Sequence, residues 1–184
     1  VVRRVRYRSY KGQVGRIAAN VLERDFTVQA PNCKWATDVT EFKIGDKKAY
    51  LSPILDMYNG EIISYTISDC PDLRMVMKMI NGAIRKAKPR KGLILHSDQG
   101  WHYQHMKYQM ALKRNGIVQS MSRKGNCLDN AMMENFFGIM KSELLYLQKF
   151  KDMDHFKQEL KRYIHYYNND RIKLRLKGKS PVQY

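Results

Sequence analysis

The sequence predicts an α/β fold in which a mixed β-sheet is flanked by helices. Residues 34–68 are rich in β-branched and aromatic residues and are divided by two short turn segments, which is typical of three antiparallel strands. From residue 72 onward, amphipathic helices alternate with short apolar strands, so the later strands reach the sheet through helical crossovers. A length of 184 residues, 43% of them hydrophobic, suits one domain with a sizeable core.

The first predicted strand covers residues 34–43 (KWATDVTEFK) and contains an acidic residue at its centre. Side chains alternate between the two faces of a strand, so Asp38 shares a face with Ala36 and Thr40, whereas Glu41 lies on the opposite face. A carboxylate at this position is costly to bury without a partner. A metal ion, a buried salt bridge and a capping role are all open for Asp38 on this stretch alone.

Two further strands complete the predicted meander, over residues 48–58 and 61–68. The segment 44–47 (IGDK) and the pair Asn59-Gly60 predict the tight turns between the strands. Pro53 lies within the second strand, and because proline cannot donate to a strand ladder, it predicts either an edge position or a bulge.

Helices dominate the rest of the chain. Apolar residues at a period of 3.6 predict a helix over 72–87, with a proline just before it and another just after it. Asp129 is interpreted as the N-cap of a later helix. The other predicted helices cover 104–114, 129–147 and 153–167, and the other predicted strands cover 92–96 and 117–121.

The chain carries a large excess of positive charge. Its net charge is +17, from 34 Lys and Arg against 17 Asp and Glu, and much of it lies in three tracts at 1–16, 85–91 and 171–184. Three separate basic tracts favour a long polyanion, most simply nucleic acid. A merely basic protein, or one that binds acidic lipid, is the alternative.

The cysteines indicate a reducing compartment. Cys33, Cys70 and Cys127 are odd in number, widely spaced and lack a CxxC pair, which predicts free thiols in the cytoplasm. His102 and His105 have no cysteine pair nearby to complete a zinc site.

No membrane segment is expected. The chain has no apolar run long enough to span a bilayer and no signal-peptide pattern. Because the first residue is Val1, we expect the chain to be an excerpt of a longer protein.

Three acidic residues stand apart from the basic background. Asp38 lies within a strand, Asp98 follows a strand and Glu134 lies on a helix, with 59 and 35 residues between them. In an open α/β sheet, strand ends and nearby helix faces meet at one crevice. Three carboxylates there cannot all stay ionised without cations, and hard oxygen ligands suit Mg²⁺ or Mn²⁺. A pair of such ions can activate a water or a 3′-hydroxyl group for phosphoryl transfer.

Three sequence motifs and the tail resemble one known family. WATDVTEF, HSDQG and DNAMMENFFGIMK resemble the D, D(35)E catalytic core of retroviral-type integrases and bacterial insertion-sequence transposases. The tail YYNNDRIKLRLKGKSPVQY resembles the end of the second open reading frame of the IS3 family, particularly its IS150-like branch. The resemblance covers residues 7–184 and implies an RNase H-like fold with a five-stranded mixed sheet flanked by helices.

The resemblance also implies an activity. The protein would be an Mg-dependent DNA transposase that cleaves an insertion sequence at its ends and joins the 3′-hydroxyl to target DNA. Asp38, Asp98 and Glu134 would be the catalytic residues and would bind two Mg²⁺ (or Mn²⁺) ions. An RNase H-like nuclease without strand transfer, and a domesticated, non-catalytic DNA-binding module, are the alternatives.

The family further implies the partners and the location. DNA is the expected partner, both as element ends and as target, and at least a dimer is expected on DNA. End recognition in the family lies in an N-terminal helix-turn-helix segment, and no such segment is evident in this excerpt. We expect the protein in the bacterial cytoplasm, associated with the nucleoid.

Four residues are candidates for DNA contacts: Lys141, Asn130, Arg123 and Lys124. Lys141 follows Glu134 by seven residues and therefore shares its helix face. It matches the lysine that approaches DNA in the family, and a solvated lysine is the alternative. Asn130 either lines the site or is simply a residue of the first helical turn.

The expected organisation has three parts. Residues 1–30 form a basic arm or linker, residues 31–150 the RNase H-like catalytic core, and residues 151–184 a C-terminal helix and basic tail. The tail departs from the family at Lys173, where the family often has His.

Other residues near these motifs have alternative roles. Asp129 lies about 140° around a helix from the third acid, so capping explains it better than metal binding. Asp56 is expected at a turn or at the surface, and His96 either faces the site or packs in the core. Trp101 and Tyr103 either stack on bases or pack under a helix.

Overall fold

A computed structural model describes residues 15–123 and 127–184. The first 14 residues of the expected arm, and the candidate DNA contact Lys124, lie outside the described residues. The strands are β1 (Lys34–Thr37), β2 (Thr40–Ile44), β3 (Lys47–Asp56), β4 (Ile62–Ser68), β5 (Ile94–Ser97) and β6 (Val118–Met121). The α-helices are α1 (Leu73–Ala87), α2 (Trp101–Gln104), α3 (Met106–Arg114), α4 (Ala131–Met140) and α5 (Met153–Asn169).

The strands form one mixed sheet. β3 pairs antiparallel with β4 on one side and with both β1 and β2 on the other, and β1, β5 and β6 pair in parallel. Because β1 and β2 pair with successive halves of the same edge of β3, they are the two halves of a single interrupted strand. The prediction of an α/β fold with a five-stranded mixed sheet is therefore confirmed.

The interruption between β1 and β2 has a local cause. Thr37 pairs with Ile54 and Thr40 pairs with Leu51, so the register is continuous across the gap and Pro53 lies within it. Proline has no N–H group and cannot donate a ladder hydrogen bond, so the ladder opens there.

Side-chain hydrogen bonds satisfy the backbone around the gap. The Thr37 hydroxyl donates to the Pro53 carbonyl oxygen at 2.8 Å. The Val39 N–H donates to the carboxylate of Asp38 at 2.7 Å. The candidate acid therefore lies at the one point where its strand leaves the sheet ladder.

Of the two alternatives predicted for Pro53, the edge position is wrong, since β3 has neighbours on both sides. The register against β4 shifts between Ile54 and Leu55, which is the predicted irregularity one residue further along.

Two apolar layers cover the two faces of the sheet. Ala36 and Phe42 pack in the layer that contains α4 and α5, whereas Trp35 and Val39 pack in the layer that contains α1 and α3. The predicted alternation of faces therefore holds across the gap, and it assigns Asp38 to the face that α4 covers.

Two predicted helices differ in the structure. The helix expected over 104–114 corresponds to α3, and the short α2, which was not predicted, ends at Gln104 with His105 in an extended conformation between the two. The helix expected over 129–147 is a 3₁₀ turn (Cys127–Asn130), α4 and a π-helical turn (Lys141–Leu145). Within the described residues, no helix is long and apolar enough to cross a membrane.

Candidate functional site

Asp38 and Asp98 occupy equivalent positions on neighbouring parallel strands. Ala36 of β1 pairs with His96 of β5, and each acid follows its paired residue by two positions. Adjacent strands lie about 4.8 Å apart, so this register places the two carboxylates side by side at the ends of their strands. Both residues are half-buried.

The two carboxylates are poorly compensated by the protein. Burial, followed by the charge of Asp98, raises the pKa of Asp38 from 3.8 to about 7, and the charge of Glu134 adds to the effect. Burial also raises the pKa of Asp98, against a hydrogen bond of 2.8 Å from the Gly100 N–H. Among the ion pairs found in the described parts of the chain, none involves either residue.

Glu134 lies at the rim of this pair. It is exposed, in the first turn of α4, and its charge acts on Asp38. Within residues 15–123 and 127–184, no group of three acidic, His or Cys side chains is arranged to hold a metal ion. The structure therefore brings two of the three predicted ligands together and leaves the third beside them.

Asn130 and Tyr103 pack close to the pair. Asn130 is buried, and its amide Nδ2 donates to the carbonyl oxygen of Thr37 at 3.4 Å, one residue before Asp38. Tyr103 is fully buried, so it packs in the core and cannot stack on bases. Burial, together with the charges of Asp38 and Asp98, raises the pKa of its hydroxyl well above the ordinary value.

Asp129 does not cap the helix, so the predicted N-cap role is wrong. It is 1% exposed and accepts hydrogen bonds from Asn20 Nδ2 at 3.2 Å, Arg24 Nε at 2.7 Å and the Arg123 guanidinium at 3.0 Å. The Arg123 backbone N–H also donates to it at 3.0 Å. These contacts hold the pKa of Asp129 far below its usual range. Asp129 therefore ties residues 20–24 and the end of β6 to the start of α4.

The candidate DNA contacts lie in different settings. The Arg123 side chain is 60% exposed, although its guanidinium is held by Asp129. Lys141 is half-buried where α4 gives way to the π-helical turn. The roles of Lys141, Arg123 and Asn130 in DNA binding stay predictions, as does that of Lys124.

His96 packs in the core. Its Nδ1 lies 2.9 Å from the hydroxyl oxygen of Ser120, which also accepts the N–H groups of Val21 at 3.0 Å and Leu22 at 3.1 Å. With both lone pairs of that oxygen used, the hydroxyl proton points to Nδ1, and we assign the histidine proton to Nε2. Burial lowers the pKa of His96, which keeps the ring neutral.

Asp56 has a turn role and is fully buried, so the surface alternative is wrong. Its carboxylate accepts the N–H groups of Asn32 at 2.7 Å and Tyr58 at 3.0 Å. Neither this arrangement nor the Asp129 network has a clear signal in the sequence, because Asn32, Asn20 and Arg24 lie far from the aspartates that they contact.

Comparison with known proteins identifies the relatives of the chain. A family model described as an integrase core domain matches residues 28–127, and a second model with the same description matches residues 134–184. A putative transposase InsK for insertion sequence element IS150 of Escherichia coli (strain K12) is 53% identical over 179 residues. That alignment covers 97% of this chain and 63% of the relative, so the chain spans less than two thirds of it.

A second relative is covered more completely. An uncharacterized transposase-like protein of Haemophilus influenzae is 51% identical over 179 residues, which are 97% of this chain and 82% of that protein.

Solved structures share the fold. The HTLV-2 integrase catalytic core domain in complex with magnesium superimposes with a TM-score of 0.65 at 19% identity, over 83% of this chain and 95% of that chain. The simian T-cell lymphotropic virus intasome, in complex with PP2A regulatory subunit B56 gamma, superimposes with a TM-score of 0.67 at 19% identity. The match covers 95% of this chain and 59% of that chain. At these identities the likeness concerns the fold alone.

We predict that Asp38→Asn stabilises the metal-free protein at pH 8. The folded-state pKa of about 7 lies above the unfolded value of 3.8, so wild type loses stability as the pH rises between these values. Melting temperatures in a chelating buffer should show a gain for the variant at pH 8 that shrinks toward pH 5. Asp154→Asn, at an exposed residue, is the control, and equal gains at both pH values would contradict the prediction.

We predict that Asp129→Asn lowers the melting temperature by roughly 5 °C, because two arginines lose the carboxylate between them. Hydrogen exchange should also become faster at the start of α4. Glu41→Gln, which removes the carboxylate of an exposed pair with Lys48, is the control and should change little. Unchanged melting and exchange in Asp129→Asn would show that the network does not hold α4.

Proposed function

Because this chain belongs to the integrase core family together with insertion-sequence transposases, we propose that it is the catalytic domain of a DDE transposase. It would cleave DNA at the ends of a mobile element and join the 3′-hydroxyl to a phosphodiester of target DNA. Such a reaction is in-line phosphoryl transfer, and it requires no serine or tyrosine nucleophile.

The observation that carries this proposal is the pair of adjacent acids. Asp38 and Asp98 lie in register on parallel strands, half-buried, with raised pKa values. Two neighbouring carboxylates without a protein cation are stabilised by a bound cation, and their hard oxygen atoms suit Mg²⁺ or Mn²⁺. The donor set therefore fits the divalent ions that the family implies.

We propose that Asp38, Asp98 and Glu134 hold two such ions. The side chain of Glu134 is exposed and its charge already acts on Asp38, which supports its role as the third ligand. When bound, the ions would polarise the reacting phosphate and activate the attacking oxygen.

The protein supplies the geometry and controls a proton. Asp38 must give up the proton that it holds below about pH 7 before it binds a cation, so cation affinity should rise as the pH rises through this value. The hydrogen bond from Asn130 to the carbonyl oxygen of Thr37 fixes the backbone next to Asp38. The N–H of Gly100 orients the carboxylate of Asp98.

The basic surface would hold the DNA. With a net charge of +17, the chain attracts a polyanion, while the acidic pair locally repels one until cations bind. We propose that Lys141, together with Arg123 and Lys124, lies along the DNA near the reacting phosphate. The proposal is best supported for Lys141, because this residue follows Glu134 by seven positions along a helix that begins beside the acids.

The wider organisation is also proposed. Residues 31–150 would be the catalytic core, with residues 1–30 as an arm and residues 151–184 as a tail helix and basic segment. One solved structure of the same fold belongs to an intasome, and the HTLV-2 core was solved in trimeric and dimeric forms. We propose that this chain also acts on DNA as a multimer, at least a dimer, in the bacterial cytoplasm.

Asp98→Asn should reduce the rates of cleavage and joining at least a hundredfold and leave DNA affinity nearly unchanged, because it removes a metal ligand and no DNA contact. The assay offers the protein a labelled element end with a 3′-hydroxyl, a target plasmid and Mg²⁺. Glu41→Gln, on the opposite face of the first strand, is the matched control.

The outcomes separate the candidate functions. Joined product supports a transposase, whereas cleavage without joined product supports a plain nuclease. DNA binding with neither product, and no Mn²⁺ binding, supports a non-catalytic module. Full activity of Asp98→Asn would overturn the assignment of the site.

Lys141→Gln should reduce joining at least tenfold and lower the slope of log affinity against log salt by about 1, because one phosphate contact is lost. Lys149→Gln, an exposed lysine of the same region, is the control. If the two variants reduced joining equally, Lys141 would contribute only to the general attraction between the basic surface and DNA.

A further inference from the structure

The turn between β3 and β4 is surrounded by polar groups of the C-terminal segment. Gly60 has a φ of +76°, and a Cβ at this position would lie 2.8 Å from Lys173 Nζ. The same point is 3.6 Å from Arg175 Nη2 and 3.6 Å from the hydroxyl oxygen of Tyr167. Three polar groups from different turns of the tail therefore converge on one glycine.

The cluster is rich in donors. Lys173 Nζ donates to the Tyr167 hydroxyl oxygen at 2.6 Å and lies 4.1 Å from the centroid of its ring. An ammonium group has three N–H donors, and a phenol that accepts one hydrogen bond keeps its own proton to donate. Lys173, Arg175 and Tyr167 thus offer several donors around the same point.

Neither cation has an ion-pair partner among the described residues. Among the ion pairs of residues 15–123 and 127–184, none involves Lys173 or Arg175. Glu143 acts on Lys173 only weakly, because its carboxylate is bound by Arg171 at 2.8 and 2.9 Å and by Tyr163 at 2.8 Å.

The local charge supports a missing anion. Burial first, and then the charges of Arg175 and Arg171, lower the pKa of Lys173 from 10.5 to about 8. A half-buried ammonium among two arginines is destabilised in its charged form, and a bound anion would reverse this effect.

The cluster is separate from the acidic pair. The N–H of Met57, in the turn that contains Gly60, donates to the carbonyl oxygen of Lys34, at the start of β1. Asp38 follows the end of β1, so at least four residues of strand, or roughly 13 Å, separate the two places. A phosphate at the reacting position cannot also contact this cluster.

We propose that Lys173, Arg175 and Tyr167 form a phosphate-binding site around the Gly60 turn, and that its ligand is a phosphate of the DNA backbone. The nitrogen atoms of Lys173 and Arg175 lie 2.8 and 3.6 Å from the Cβ position of Gly60, so they are at most about 6.4 Å apart, a separation that two oxygens of one phosphate can bridge. A contact of this kind positions DNA without reading its sequence. The choice of DNA as the source rests on the proposed function, whereas the phosphate site itself does not.

Nuclear magnetic resonance of the Lys173 ammonium group tests the site directly. Its signals should shift with saturation on addition of inorganic phosphate, and its pKa should rise from near 8 in the presence of the anion. The same signals should shift on addition of a short duplex. Absence of both shifts, in the folded protein, would overturn the site.

DNA-binding measurements give the second test. Lys173→Gln should weaken duplex binding about five- to tenfold and lower the salt slope by about 1. Arg175→Gln, at an exposed residue, should act in the same direction and serves where Lys173→Gln is poorly folded. Lys177→Gln, at an exposed lysine of the same tail that forms no ion pair within the described residues, is the matched control and should change affinity less than twofold.

The outcomes distinguish this site from the proposed function. All measurements are made with Asp98→Asn as background, so loss of catalysis does not affect them. Equal losses of affinity for the Lys173, Arg175 and Lys177 variants would overturn the site, because they would show that the basic tail attracts DNA only through its overall charge. Saturable binding of inorganic phosphate, with no response of Lys173 to duplex DNA, would overturn the assignment of the ligand to DNA.

Discussion

The parallel pairing of β1 with β5 is the constraint on which the rest of the site depends. Ala36 lies opposite His96, and two residues further along both strands this register sets Asp38 beside Asp98. Parallel strands are usually buried on both faces, and here α1 and α3 cover one face and α4 and α5 the other. Two carboxylates held together at the edge of such a layer raise each other's cost of ionisation. The fold thus holds the like charges of Asp38 and Asp98 close together at a fixed position. Such an unfavourable arrangement is typical of a site at which a ligand binds.

Electrostatic surroundings separate residues of the same type into different roles. Asp129 and Asp38 are both aspartates at the candidate site, but two arginines lower the pKa of Asp129, whereas burial and neighbouring acids raise the pKa of Asp38. Asp129 is therefore complete without a ligand, and its contacts with Asn20, Arg24 and Arg123 join distant parts of the chain. Asp129 is thus satisfied by donors within the protein, whereas two adjacent carboxylates with few such donors are stabilised by a bound cation.

The sequence predicted the parts of the fold that depend on local pattern. Five strands, the face of the sheet on which Asp38 lies and the amphipathic α1 and α5 follow from periodicity and turn residues, and the structure has them. Periodicity cannot show where a helix changes its hydrogen bonding, so the break at His105 and the π-helical turn at Lys141–Leu145 were missed. Nor can it show contacts across the chain: Asp129 looked like an N-cap because its partners at Asn20 and Arg24 are more than a hundred residues away. The exposed position of Glu134 in the first turn of α4 likewise has no signal in the periodicity.

Charged groups without an ion-pair partner lie at both ends of the sheet, although the buried Asp56 near the Gly60 turn is satisfied by the N–H groups of Asn32 and Tyr58. Most buried or half-buried ionic groups are paired, as Asp129 is with Arg123 and Glu143 is with Arg171. Within the described residues, Asp38 and Asp98 at one end, and Lys173 beside Arg175 at the other, lack such partners and have pKa values shifted against their charged forms where a shift is resolved. Folding alone does not favour either arrangement, because each costs free energy that an uncharged residue would not. A nucleic acid that enters with divalent cations supplies both missing charges at once, cations for the acids and phosphates for the lysine and arginine. The charge pattern of the folded chain is therefore complementary to that combined ligand.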